Sequence, residues 1–377
     1  MANTNLHQAK NAKNDEFYTQ WADIEREVQA YLEFDPDVFR DKTILCPCDD
    51  PEWSNFTKFF ALHFEEFGLK KLISTSYAYN SKNYKTKYKL SSFEESSPKF
   101  DKRKTKTKGK LFVLERKDCT KINIDDLNWD YMSGDGDFRS DEVKKLRDEA
   151  DIIITNPPFS LFREFLAWIV EVNKQFLIIG NMNAITYKEV FPLIAKNKIW
   201  LGVRSGAKEY MKPDKTMQKM GNTCWITNID HGRRHQPLPL MTMKENIKFN
   251  KSKKMSDKKT YVKYDNYDAI EVPEVVAIPS DYDGVMGVPV SFLDKYCPEQ
   301  FEILGTSDNG IIDDKYKLTQ GLTQKFVDDY YAAGGKGTYK GGNPTAGIYN
   351  NGIAMVVYKR LFIKHKGVKN ENGTQKV

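Results

Sequence analysis

Asn156, Pro157, Pro158 and Phe159 stand directly after the apolar run Asp151–Thr155 (DIIIT). A short run of isoleucines stopped by two prolines predicts a buried strand. Open α/β sheets present their ligands at the carboxyl ends of such strands. The residue types suit one kind of chemistry. An exocyclic amine on an aromatic base is a poor nucleophile, because its lone pair is delocalised into the ring. Two acceptors aimed at its two hydrogens favour a more tetrahedral nitrogen with that lone pair available. The Asn156 side-chain oxygen can be one acceptor and the Pro157 carbonyl the other, and Pro158 helps to hold that carbonyl in place. Phe159 offers a flat apolar face on which an extruded base can stack. The bland alternative is a strand-ending Asn-Pro turn with a core phenylalanine.

A second group lies at Cys46, Pro47, Cys48, Asp49 and Asp50, where another apolar run ends and a helical pattern opens with Ser54 and Asn55. A strand end followed by a helix N-terminus is a nucleotide site in folds of this kind. Asp49 or Asp50 could balance a positive sulfonium and amino group on a methyl donor. Further on, Asp137 and Phe138 lie in the Gly/Asp turn GDGDFR. The carboxylate could accept from an adenine amine of the donor, and the ring could flank that adenine.

These groups need a scaffold, and the hydrophobic periodicity supplies one. Strands are predicted at Thr43–Cys48, Lys71–Tyr77, Leu111–Leu114, Asp151–Thr155, Gln175–Gly180, Ile199–Arg204 and Thr223–Asn228. Helices are predicted at 14–32, from Ser54 to Gly68, and at Asp141–Glu149, Leu161–Asn173 and Lys188–Ala195. Alternating strands and helices imply a doubly wound α/β domain with a parallel sheet. Continuous apolar runs such as FLIIG suit strands covered on both faces. After Asp230 prolines, glycines and tyrosines multiply, so a boundary is expected near Asp230–Gln236. The region beyond it is expected to be α+β or mostly loops and strands.

Composition narrows the function. With 377 residues and 40% hydrophobic content the chain can bury a sizeable core. It has no apolar run long enough to span a bilayer. The five cysteines fit no disulfide or metal framework, which suggests a reduced, cytoplasmic protein. Net charge is +6 and unevenly spread. Residues 82–110 hold eleven Lys/Arg against Glu94, Glu95 and Asp101, a net of +8. Residues 244–263 hold eight Lys against Glu245 and Asp257, a net of +6. Two such stretches suit contact with a polyanion, or are solvated loops. The stretch from about 80 to 110 is read as an inserted loop.

Taken in order, DEFYT (15–19), CDDPEWSNF, GDGDFRS, TNPPFSLF and ITYKEVF resemble the N6-adenine DNA methyltransferases of the EcoRI modification type. KYDNYDAI, DYDGVMGVP, PEQFEI and RLFIKHK extend the similarity towards the C-terminus. The resemblance implies a class I S-adenosylmethionine-dependent methyltransferase fold, Rossmann-like, over residues 1–230. It implies a target-recognition region over 231–377 that binds double-stranded DNA. It also implies base flipping and direct methyl transfer to adenine N6, within a restriction-modification system or as an orphan or phage methylase. Asn156, Pro157, Pro158 and Phe159 would then hold the target adenine, and Asp137 and Phe138 the donor's adenine. Phe17, Tyr18 and Thr19 would lie beside the donor's methionine end, with Cys46–Asp50 and Asn156 also at the donor. The first motif lacks glycines, which leaves open which of Cys46–Asp50 touches the donor. The strand ending in STSYAYN has no acidic residue for the ribose. No metal is implied, and a monomeric, cytoplasmic enzyme of bacterial or phage origin is expected. The rival readings are an RNA or protein-amide methyltransferase on the same fold and a catalytically silent DNA-binding protein.

Overall fold

A computed structural model of the chain describes residues 18–78, 99–116, 127–211, 217–250, 252, 254–255, 260–307, 310–311 and 321–367. Two compact units emerge: Met1–Asn183 with Trp200–Gly232, and Ala184–Ile199 with Arg233–Val377. The second thus includes a stretch, 184–199, that the sequence groups with the first.

In chain order the first unit contains β1 (Tyr18–Thr19), α1 (Trp21–Phe34), β2 (Thr43–Cys46), α2 (Asn55–Leu62) and β3 (Lys71–Thr75). It continues with α3 (Lys104–Thr107), β4 (Lys110–Glu115), β5 (Asp130–Tyr131), α4 (Asp141–Glu149) and β6 (Ile152–Thr155). A 3-10 turn at Phe159–Leu161 leads into α5 (Phe162–Val170), followed by β7 (Gln175–Asn181). After α6 (Phe191–Ala195), which belongs to the second unit, come β8 (Trp200–Met211) and β9 (Met217–Thr227).

Local chemistry explains several boundaries. Ser140 caps α4 by accepting from the Val143 amide, and Asp141 and Glu142 occupy its first turn, where the helix dipole favours negative charge. In α1 the buried Ile24, Glu27, Val28 and Tyr31 recur at helical spacing. The sequence extends that helix back to residue 14. Instead Tyr18–Thr19 pairs with Met211 and Tyr210 as a strand, and the helix begins at Trp21 without a side-chain cap; residues 14–17 lie outside the described part. The helix expected from Lys188 begins only at Phe191, because Pro192 is tolerated in a first turn but not further in.

Nine strands form the sheet of this unit, in the order β1-β8-β9-β7-β6-β2-β3-β4-β5. β7, β6, β2 and β3 pair parallel to one another, whereas β9 on β7, β8 on β9, β1 on β8, β4 on β3 and β5 on β4 all pair antiparallel. The expected parallel sheet is therefore corrected to a mixed one. Between β2 and β6 the chain reverses its direction of strand addition, and such a reversal is where open α/β sheets place their ligands. β2 and β6 are buried along their whole length, as both-face burial demands. Around them Phe39, Phe56, Phe60, Phe64, Trp225 and their neighbours form one apolar cluster.

The second unit contains α7 (Met243–Phe249), β10 (Ala269–Glu271), β11 (Val285–Pro289), β12 (Phe301–Thr306) and β13 (Gly310–Ile311). Then follow α8 (Gln324–Ala332), β14 (Gly347–Asn350), β15 (Ile353–Val356) and β16 (Arg360–His365). Its sheet has the order β10-β11-β16-β12-β13, and β14 and β15 form a separate hairpin. Among the described residues no helix is long and apolar enough to cross a membrane.

Candidate active site

Asn156 follows the last residue of β6, and Cys46–Asp50 covers the end of β2 next to it. The sheet thus brings the two sequence-predicted groups side by side at its carboxyl end. Pro157 is buried, whereas Asn156, Pro158 and Phe159 are half-buried. The Pro158 carbonyl accepts from the Leu161 amide at 2.9 Å and starts the 3-10 turn that carries Phe159. Phe159 packs one side against the central apolar cluster.

Asp49 is turned into the protein at the end of β2. It is 5% exposed, and both carboxylate oxygens accept hydroxyls: Ser54 Oγ donates to Oδ1 at 2.6 Å and Thr155 Oγ1 to Oδ2 at 2.5 Å. Burial raises its pKa to about 7, against the lowering effect of those two hydroxyls. Ser54 also caps α2 by accepting from the Phe56 amide. Cys46 is buried and Cys48 half-buried, and burial followed by the nearby Asp49 pushes both thiols up. Both therefore stay protonated near neutrality.

Asp50 is not a free counter-charge either. Its carboxylate lies 2.9 Å from Lys110 Nζ, which also reaches Glu52 at 2.5 Å and sits 4.7 Å from the centre of the Trp129 ring. Burial alone would lower the Lys110 pKa, but the two carboxylates outweigh it and raise it. Lys110, counted above among charges for a polyanion, is 5% exposed and spent inside the fold. Neither Glu52 nor Lys110 could be singled out from sequence, because the pair joins β4 to a loop 58 residues earlier.

The Gly134–Arg139 turn packs against the end of β3. Gly136 has φ +77°, and a Cβ there would lie 2.1 Å from the Ser76 carbonyl oxygen; one on Gly109 would lie 2.5 Å from the same atom. Only glycine permits that approach. Phe138 is more deeply packed than its Gly/Asp turn suggests. It is 5% exposed and set edge-on against Phe165 at 5.1 Å and Trp168 at 5.6 Å, with the Arg139 guanidinium 5.4 Å from its ring centre. The ring packs into the core beside α5. Asp137 remains half-buried, with its carboxylate held by Arg139.

At the other side of the β2 loop, Asn55 Nδ2 donates to the Thr19 carbonyl at 2.7 Å, tying β1 to the start of α2. Thr19 is 2% exposed, and its buried hydroxyl has no hydrogen-bond partner among the described residues. A buried hydroxyl beside a helix N-terminus fits the polar methionine end of S-adenosylmethionine. Phe17 lies outside the described residues, and of Tyr18 only the backbone pairing is described. Among the described residues no cluster of metal-ligating side chains occurs.

The basic segment is described only from Lys99 on. There Lys99 is tied to Asn128 and to the Trp129 carbonyl, while Lys102, Arg103 and Lys104 are exposed. In the second basic segment, α7 starts with a capping box between Thr242 and Glu245 and exposes Lys244 and Lys248.

A family model described as "Adenine-specific methyltransferase EcoRI" matches residues 5–366. The chain is 43% identical over 316 residues to the Type II methyltransferase M.EcoRI of Escherichia coli, covering 79% of this chain and 88% of that protein. It is 33% identical over 317 residues to the Type II methyltransferase M.MpnI of Mycoplasma pneumoniae, covering 79% and 84%. It is 35% identical over 318 residues to the Type II methyltransferase M.MgeORF184P of Mycoplasma genitalium, covering 79% and 85%. No solved structure matches the chain.

Proposed function

The chain belongs to the EcoRI adenine-specific methyltransferase family, and from that premise we propose that it methylates the exocyclic N6 of adenine in double-stranded DNA. The methyl donor is S-adenosylmethionine, and the enzyme is the modification member of a restriction-modification system. The observation that carries the site assignment is the adjacency of the Asn156 loop and the Cys46–Asp50 loop at one reversal of strand order. The four parallel strands around that reversal support a class I, Rossmann-like reading of the first unit. The region after residue 230 is assigned to target recognition.

Bound S-adenosylmethionine supplies a methyl carbon made electrophilic by its sulfonium. Thr19 and the start of α2 receive its polar end, and Asp137 accepts from its adenine. On the substrate side, Asn156 and the Pro157 carbonyl accept from the two amine hydrogens of a flipped adenine. They draw the nitrogen towards a tetrahedral shape. As the N–C bond forms, the methyl–sulfur bond would break and the sulfur would leave as a neutral thioether; the nitrogen becomes positive, and the same two oxygens stabilise that charge where it develops. Phe159 presents its exposed side for stacking. Its inner side is braced by the core, which holds the base at a fixed depth. The excess proton leaves from the methylated amine to water.

The test is direct. Purified protein is incubated with unmethylated plasmid and labelled donor, and the DNA is digested to nucleosides. N6-methyladenine is the expected product. Label in RNA or protein with none in DNA favours the rival substrates, and no label anywhere favours a silent DNA-binding protein.

A further inference from the structure

We propose that Asp49 is a positioning residue for methyl transfer, clasping the last residue of β6 to the cap of α2 and so setting where the Asn156 loop sits. The proposal rests on the methyltransferase reading above. Every polar group of Asp49 is engaged. Its N–H donates to the Thr75 carbonyl at 3.0 Å, and its own carbonyl accepts from Ser74 Oγ at 2.5 Å. Ser74 is joined in turn to Thr57 of α2 at 2.6 Å. The two carboxylate oxygens take Ser54 and Thr155. One residue therefore links the ends of β2, β3 and β6 with the first turns of α2, and the link to β6 spans 106 positions of sequence.

The geometry separates this role from donor binding. Asp49 is turned into the protein, with its backbone locked to β3 and its carboxylate occupied. Burying a carboxylate is costly, and burial indeed raises its pKa. A carboxylate nevertheless offers two separate acceptor oxygens, and here each takes one hydroxyl. Its lever arm is short. Thr155 immediately precedes Asn156, and Pro157 and Pro158 stiffen the next two positions. Any shift of the Thr155 side chain is passed to the Asn156 backbone with little slack. A misplacement of about 1 Å at a reacting centre can cost about a hundredfold in rate.

The experiment measures single-turnover methyl transfer at saturating donor, with donor affinity by calorimetry, on the full chain. Thr155→Val keeps shape and loses the hydroxyl, and it should slow transfer by about tenfold to a hundredfold. Donor affinity should stay within about twofold, since no donor contact is removed. Thr155→Ser, which restores the hydroxyl, should recover most of the rate. Asp49→Asn should slow transfer in the same way. The double variant Asp49→Asn with Thr155→Val should be no slower than the slower single one, because both break one link. A wild-type rate in Thr155→Val overturns the proposal, as do multiplicative losses in the double variant. Weakened donor binding with an unchanged saturated rate in Asp49→Asn makes Asp49 a donor contact instead. Should Asp49→Asn fail to fold, the Thr155 pair decides alone. A wild-type protein that methylates no DNA overturns the reading beneath this proposal, whereas a fast Thr155→Val overturns only the clasp.

Discussion

Arg139 grips Asp137 with two nitrogens, Nε to Oδ1 at 2.9 Å and Nη2 to Oδ2 at 2.6 Å. Partial burial pushes the Asp137 pKa up, but the Arg139 bonds outweigh it and hold it below the ordinary carboxylate value. The acid is thus an ionised acceptor at neutral pH, with lone pairs left for an amine. Asp137→Ala should weaken donor binding by about 1–3 kcal/mol, the cost of unpairing a buried polar contact. Arg139→Ala should weaken it less, because the acceptor remains. Calorimetry on both variants checks this. Unchanged affinity in a folded Asp137→Ala would make the pair only a lock on its turn.

Catalysis separates Asn156 from Phe159. Asn156→Ala should leave fold and donor binding nearly intact and lower the transfer rate by about two to three orders of magnitude, as for loss of one acceptor aimed at developing charge. Phe159→Ala removes a stacking face worth about 1–3 kcal/mol per base. Because its inner side packs on the core, it should also lower the melting temperature. A mismatch at the target base should rescue Phe159→Ala in part, since less extrusion energy is needed, and should not rescue Asn156→Ala. Single-turnover rates on matched and mismatched duplexes read this out, and equal rescue of both would reverse the division of roles.

Asp49 should leave a signature in stability. Its pKa is about 7 in the fold against an ordinary 3.8, so the folded chain holds the proton more tightly. Between about pH 4 and pH 7 the unfolded chain releases that proton first, and stability falls as pH rises. Above pH 7 the deficit is constant, on the order of 4 kcal/mol at most by linkage. The titratable groups around it are Cys46 and Cys48, whose thiols are raised, and Asp50, which is paired with Lys110. Asp49→Asn should flatten the slope. Urea unfolding from pH 5 to pH 8 measures it, and parallel curves for the two proteins would refute the assignment.

The basic segment should divide into two parts. Neutralising Lys102, Arg103 and Lys104, all exposed, should weaken binding to every DNA sequence alike and flatten its salt dependence, because phosphate contacts release counterions. Lys110→Met should instead destabilise the fold by about 3–5 kcal/mol, since Asp50 and Glu52 lose their shared cation. Filter binding across salt concentrations and thermal melting separate the two. An unchanged salt slope in the triple variant would reduce that part of the segment to a solvated surface.

Much of this protein was legible from local signals. The apolar run ending in NPPF specifies a buried strand and a proline-stiffened loop, and Ser140 with its acidic neighbours specifies the start of α4. The chemistry proposed for Asn156 rests on residue type alone. What the sequence could not carry is pairing across distance. Antiparallel β4 and β9 read locally like the parallel strands they flank, because strand direction is decided by which edge each run reaches. Nothing in the Gly/Asp turn around Phe138 shows that α5 sets Phe165 and Trp168 against its ring. Lys110 looks like one charge among eleven until the fold sets it beside Asp50 and Glu52. Asp49 looks like a turn residue until β6 brings Thr155 to its carboxylate. A side chain's type is written in the sequence, but whether it meets solvent, ligand or another buried group depends on contacts that only the closed tertiary structure creates.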